Sequence, residues 1–170
     1  AGDAAATARR FNFGLEYGLI NLGIDPSRMQ TFYQDTGELG FGSFDGPSIY
    51  NVEVGQVTLI AGAQWRSGNA MLQHGSLPLS GDATRLCQAL FFDLPGQRMA
   101  IQIRFGRRAT ALNIALGHDK TFSETSEALV QGLGEALDLT FAPETLTPAE
   151  QERANQLRPK YASESWTKKF

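Results

Sequence analysis

Residues 49–79 constrain the fold most. Ile49-Tyr50-Asn51-Val52-Glu53-Val54 alternates apolar and polar side chains, the period of a strand with one buried face. Gly55-Gln56 is a two-residue turn candidate. Val57 to Gln64 is a continuous apolar run, and Ala70 to Leu79 reads as a third strand. The first two segments predict an antiparallel hairpin, with a loop at Trp65–Asn69 returning the third.

The flanks read as helices. Asp3 is placed to cap a helix in which Phe11, Leu15, Leu19 and Leu22 recur at helical spacing, with Gly23 just past its end. Residues 25–48 are rich in Gly, Asp and Pro and read as one long loop. Past Gly81, Asp82 caps an expected helix over Ala83–Phe92, with Leu86, Leu90 and Phe91 inward. Further helices are expected at about 97–105 and 107–116. Ser123, with Glu124–Glu127, opens another that runs to Leu137 on an apolar face of Ala128, Leu129, Leu133 and Leu137. Leu139-Thr140-Phe141 reads as a short strand. Thr147-Pro148-Ala149-Glu150 begins the last helix, with Thr as N-cap, Pro at N1 and Glu at N3. The expected fold is α+β: a small antiparallel or mixed sheet with packed helices, followed by a helical C-terminal accessory part. Its β-rich portion is residues 1–80 and its helical remainder residues 81–170.

Composition removes several function classes. The 170 residues suffice for one domain with a core, and a net charge of −3 argues against bulk nucleic-acid binding. No run of eighteen apolar residues marks a membrane helix, and the N-terminal stretch lacks the pattern of a signal peptide. Cys87 is the single cysteine, which fits a reducing compartment, cytoplasm or an organelle matrix. Lysine occurs only at positions 120, 160, 168 and 169, so chemistry needing a lysine in the first two-thirds is excluded.

Within the strands, Gln73-His74-Gly75-Ser76 is the unusual stretch. Either Gly75 admits a close backbone and His74 is a hydrogen-bonded core residue, or the strand lines a ligand cleft. One histidine without a second ligand makes no metal site, and His118 lies far off in a Gly-His-Asp turn. Ser43 is a turn residue or, if a base reaches it, a nucleophile. Asp45 either caps the Asp-Gly-Pro-Ser turn or holds a substrate amine. Arg104, Arg107 and Arg108 are a solvated face or an anion grip. No phosphate-binding loop of the P-loop or dinucleotide type occurs.

Three segments in order resemble the lipoate–protein ligase and octanoyltransferase family. The first is Ser43-Phe44-Asp45-Gly46-Pro47-Ser48-Ile49-Tyr50, similar to a family loop reading Cys-Phe-Asp-x-Pro-Ser. The second is Leu59-Ile60-Ala61-Gly62-Ala63-Gln64-Trp65-Arg66, with Leu72-Gln73-His74-Gly75-Ser76-Leu77 after it. The third is Leu146-Thr147-Pro148-Ala149-Glu150 with Lys160-Tyr161-Ala162-Ser163-Glu164-Ser165-Trp166. The resemblance implies acyl transfer: a lipoyl or octanoyl group passes to a lysine of a lipoyl-domain protein. Ligases of the family use ATP and Mg²⁺ to make an acyl-adenylate, and transferases use a cysteine thioester. It implies a cleft wall of Gly62, Ala63, Gln64, His74, Gly75 and Ser76, a substrate-binding Asp45 and a catalytic position at Ser43.

Three departures accompany the resemblance. The family lysine falls on Thr58, or on Leu59 with a one-residue gap, and neither supplies a cation beside the activated acyl group. The transferase cysteine position holds Ser43, a weaker nucleophile. The family's N-terminal portion is not matched, so the sheet is expected to be completed by a missing segment or another chain. A degenerate member that binds an acyl ligand or acts as a protein-binding or structural subunit is the alternative to an enzyme.

Overall fold

The computed structural model describes residues 3–31, 48–94 and 96–168. Its residues divide into two compact units, Ala1–Thr140 and Phe141–Phe170.

The first unit opens with α1 (Ala4–Leu22), whose start is set by the Asp3 carboxylate accepting from the Ala6 N–H at 2.6 Å. Gly23 closes it in the left-handed conformation, its N–H returning to the Ile20 carbonyl. A four-stranded antiparallel sheet follows in the order β1 (Met29–Thr31), β2 (Val52–Val54), β3 (Val57–Ser67) and β4 (Ala70–Ser76). The expected β2–β3 hairpin is present, with Gly55 and Gln56 both at positive φ (63° and 66°), the twist-matched two-residue turn.

Several expectations are corrected. The segment read as one loop from residue 25 contains a 3-10 turn at Pro26–Arg28 and then β1. A three-residue strand held only by pairing to β2 leaves no periodic signal. The return between β3 and β4 is Gly68-Asn69, so Trp65 and Arg66 belong to β3, and β4 ends at Ser76. The expected helix at 83–92 is a 3-10 turn, Ala83–Arg85, and a single helical turn α2 (Leu86–Ala89). Leu90 is already extended, which ends α2 after one turn. Leu86 and Phe91, expected inward, are 44% and 84% exposed. α3 spans Gln97–Gly106, but the next helix, α4, is only Leu112–Leu116. Residues 108–110 serve β3 instead: Thr58 N–H donates to the Arg108 carbonyl and Thr110 N–H donates to the Thr58 carbonyl. α5 (Phe122–Leu137) begins at a Thr121–Glu124 capping box, two residues earlier than Ser123 suggests.

The core lies between the sheet's buried half and the helices. Leu19, Leu22, Ile24, Val52, Val54, Leu59, Ile60, Leu112 and Ala115 form one buried cluster. α5 packs along α1 at close range. A Cβ on Gly14 would lie 2.8 Å from the Leu133 Cα, and one on Gly132 would overlap the Gly14 carbonyl. The glycines let the two backbones touch.

The expected strand at Leu139–Phe141 does not form: residues 139–147, which run from the end of the first unit into the second, carry no regular structure. α6 (Pro148–Ala162) starts on the expected Thr147–Glu150 capping box, and α7 (Glu164–Thr167) follows. Lys160 sits over the rings of Tyr161 (5.3 Å) and Trp166 (5.2 Å), which meet edge to face. Among the described residues, no helix is long and apolar enough to cross a membrane.

Candidate functional site

The β3–β4 hairpin carries the residues that the sequence singles out, and its register divides them between two faces. The pairs are Ala61–Ser76, Gly62–Gly75, Ala63–His74, Gln64–Gln73, Trp65–Leu72 and Arg66–Met71. Residues paired across an antiparallel ladder share a face, and successive pairs alternate. One face is fixed by its hydrogen bonds. Gln64 Nε2 donates to Gln73 Oε1 at 2.9 Å, Arg66 Nε donates to Gln64 Oε1 at 2.6 Å, and Arg66 Nη2 donates to Thr7 Oγ1 of α1 at 2.6 Å. Gln64, Gln73 and Arg66 therefore face α1. Ala61, Ala63, Trp65, Leu72, His74 and Ser76 lie on the opposite face.

That opposite face opens toward its far end. Trp65 is 59% and Leu72 55% exposed, and His74 and Ser76 are exposed as well. The reading of His74 as a hydrogen-bonded core residue does not hold: β4 is exposed along almost its whole length. Of the expected cleft wall, Ala63, His74 and Ser76 come together here. Gly62, Gln64 and Gly75 lie on the other side of the ladder.

The two glycines have a backbone explanation. A Cβ on Gly62 would collide with the Tyr50 carbonyl, and one on Gly75 would lie 2.7 Å from the Ala61 carbonyl. Gly62 is thus required where the 48–51 turn crosses the hairpin, and Gly75 where β4 meets the Ala61 carbonyl of β3. Asn51, fully buried, accepts from the Gly62 N–H through Oδ1 at 3.1 Å. Asn12 of α1, also buried, donates to the carbonyls of Ile49 (2.8 Å) and Asn51 (3.4 Å). Sequence reading missed both asparagines. Asn51 occupies a polar slot of an alternating strand, and its partners appear only in three dimensions.

Ser43 and Asp45 lie outside the described residues. Thr58 and Leu59, the two positions onto which the family lysine falls, are 2% and 0% exposed. Arg104, Arg107 and Arg108 are exposed, and Arg108 lies near enough to Glu53 to oppose the rise that burial imposes on that carboxyl. Glu16, on α1, is likewise raised by burial, and a hydrogen bond with Thr31 works against the rise.

An α1-backed antiparallel sheet with one open face of this kind is the fold of the lipoate–protein ligases. The chain superposes with a TM-score of 0.77 on the bipartite lipoate protein ligase of Thermoplasma acidophilum, studied with its E2 lipoyl domain, at 23% identity over 98% of this chain and 58% of that one. A lipoate-protein ligase A bound with ATP gives 0.71 at 23% identity, covering 98% of this chain and 60% of that one. No protein-family profile matches the chain. Among curated proteins, octanoyltransferase LipM of Carboxydothermus hydrogenoformans is 30% identical over the whole of this chain and 63% of its own length. LipM of Exiguobacterium sibiricum is 36% identical over 72% of this chain and 45% of its own length. The chain belongs to the lipoate–protein ligase/octanoyltransferase family. It spans between 45% and 63% of the length of these two relatives.

Proposed function

We propose that the chain takes part in transfer of a lipoyl or octanoyl group to a lysine of a lipoyl-domain protein. The observation that carries this reading is the open face of β3–β4. Ala61 and Ala63 leave a low floor beside exposed His74 and Ser76. The relatives named octanoyltransferases supply the acyl chemistry, and the solved neighbour bound with ATP makes an adenylate donor one route to the activated acyl group.

In this reading the acyl chain lies along the alanine floor and extends toward Trp65 and Leu72. The incoming lysine must lose a proton before it attacks the acyl carbonyl, and as the amide bond forms the bond from the acyl carbon to the adenylate's phosphate oxygen breaks and AMP leaves. A ring nitrogen of His74 accepts that proton as general base. Ser76 donates a hydrogen bond to the carbonyl oxygen as charge develops there. Gly62, Gly75 and Gln64 act from the other side of the ladder by fixing its register. Asp45 binds substrate, and Ser43 takes the position from which a family transferase presents its nucleophile. Among the described residues, no three acidic, histidine or cysteine side chains gather to hold a metal, and no step is drawn through Mg²⁺. Another chain or segment adding a strand beside β4 is part of the proposal, because β4 is the outer strand of the described sheet.

One observation favours the second reading, a binding subunit. The positions expected to hold the family's cation, Thr58 and Leu59, are buried and uncharged. The experiment mixes the purified chain with preformed lipoyl-adenylate and an apo lipoyl domain and reads the domain's intact mass. Transfer predicts a gain of one lipoyl group above a no-protein control, lost with His74→Ala. No gain above the control sinks unaided transfer and leaves the binding-subunit reading.

A further inference from the structure

A cavity of about 630 Å³, within the range of small-molecule sites, lies between α1 and β1, the outer strand of the described sheet. Phe13, Glu16 and Ile20 recur at helical spacing along α1 and form one wall. Met29 and Thr31 form the other, with Pro26 beside them. Their cross-strand partners Val54 and Val52 belong to the core cluster that includes Leu19 and Leu22 of α1. Met29 and Thr31 therefore share the sheet face that meets α1.

Glu16 supplies the charge of this cleft. Among the described residues, no lysine, arginine or histidine lines it. Glu16 is partly buried and makes no ion pair among the described residues; its hydrogen bond is with Thr31, an uncharged partner. Burial pushes its carboxyl above the ordinary value, as expected where water is lost and no cation replaces it. Arg28, next to β1, is turned to another partner, its guanidinium donating to the Ala115 carbonyl at 3.0 Å. The surroundings of the carboxylate are apolar, from Ile20, Pro26, Met29 and the half-exposed Phe13. A carboxylate on such a wall is poorly hydrated, and a cation that reaches it restores the lost hydrogen bonding in charge-assisted form.

From this arrangement we infer a ligand site between α1 and β1 for a small primary amine that carries a short apolar chain. The ammonium donates to the Glu16 carboxylate, and the chain lies against Ile20, Pro26 and Met29 with Phe13 at the rim. His74 and Ser76 lie on the sheet face turned away from α1. The site is therefore separate from the acyl-transfer face proposed above and does not rest on that reading.

The test titrates hexylamine into the ¹⁵N-labelled chain and follows backbone amide shifts. Methylamine and hexanol, which carry the head or the chain alone, are titrated in parallel, as is hexanoate, which reverses the charge. The expected result is saturable shifts at Glu16, Ile20 and Thr31. Hexylamine binds more tightly than methylamine or hexanol, hexanoate leaves these amides in place, and added salt weakens the binding. Glu16→Gln keeps the side chain's shape and removes its charge, and it weakens hexylamine about tenfold, the worth of one charge-assisted contact. Absence of saturable shifts overturns the site, as does hexylamine binding that Glu16→Gln leaves unchanged. Hexanoate binding as tightly as hexylamine overturns it without any variant. Shifts confined to Ala63, His74 and Ser76 also overturn it and place the amine on the open face instead. Failure of lipoyl transfer has no bearing on shifts at Glu16 and Thr31, so the two proposals fail separately.

Discussion

Leu59 and Trp65 lie on the same strand, six residues apart, yet Leu59 is fully buried and Trp65 is 59% exposed. The first half of β3 has partners on both edges: Thr58 pairs with Glu53 of β2 on one side and bridges to Ala109 on the other. The second half has β4 on one edge and, at Gly62, the Asn51 side chain on the other. One element thus anchors the core and then projects a surface from it. A rigid strand is a better platform than a loop for a site that must hold its geometry.

Four experiments break or sharpen that contrast. Leu59→Ala acts on the anchored half and should cost about 3 kcal/mol, the usual loss for a fully buried leucine, measured by denaturant unfolding. Gly62→Ala, at the junction, should cost about 1–3 kcal/mol, since the new methyl meets the Tyr50 carbonyl and the 48–51 turn must shift. A cost near zero there would mean that the turn yields freely, and the junction would lose its special status.

The third experiment uses pH. Glu53, beside the anchored half, has its pKa raised above 4.5, first by burial, with Arg108 opposing. Protonation removes a desolvated charge, so this group's contribution is fully present below 4.5 and is lost as pH climbs through the raised folded value. Glu16 shifts in the same direction. Stability should therefore fall as pH rises through that window, and Glu53→Gln should flatten the fall. The smallest stability effect belongs to the open face. His74→Ala should change unfolding free energy by no more than about 0.5 kcal/mol, as for other exposed positions, while abolishing transfer. A large stability loss would show His74 to be a packing residue after all.

The parts legible in the sequence are those that local chemistry decides. Asp3, Thr147 and Glu150 announce their helix ends because a cap acts within four residues, and Gly55-Gln56 announces its hairpin for the same reason. β1 and the single-turn α2 were hidden because three or four residues carry no period. Phe91 misled because an apolar residue marks a buried face only when enough turns surround it. For the candidate site, the strands and the family were legible. The division of its residues between two faces follows from strict alternation once the β3–β4 pairing is known, and that pairing depends on where the turn falls. The roles of Gly62 and Gly75 were not legible, since the carbonyls they accommodate belong to Tyr50 and to the neighbouring strand.

The glycine contact between α1 and α5 also bears on the order of assembly. Gly14 and Gly18 leave the ribosome long before Gly132, yet their backbones meet in the folded unit. Closing so long a loop costs chain entropy, which favours forming the contact after the intervening sheet has brought the two ends together. Until then α1 displays a bare glycine groove with nothing in it. A nascent chain stalled before α5 is therefore exposed on the surface that will later be its most tightly closed seam, and there a chaperone or a misplaced helix has its best opportunity.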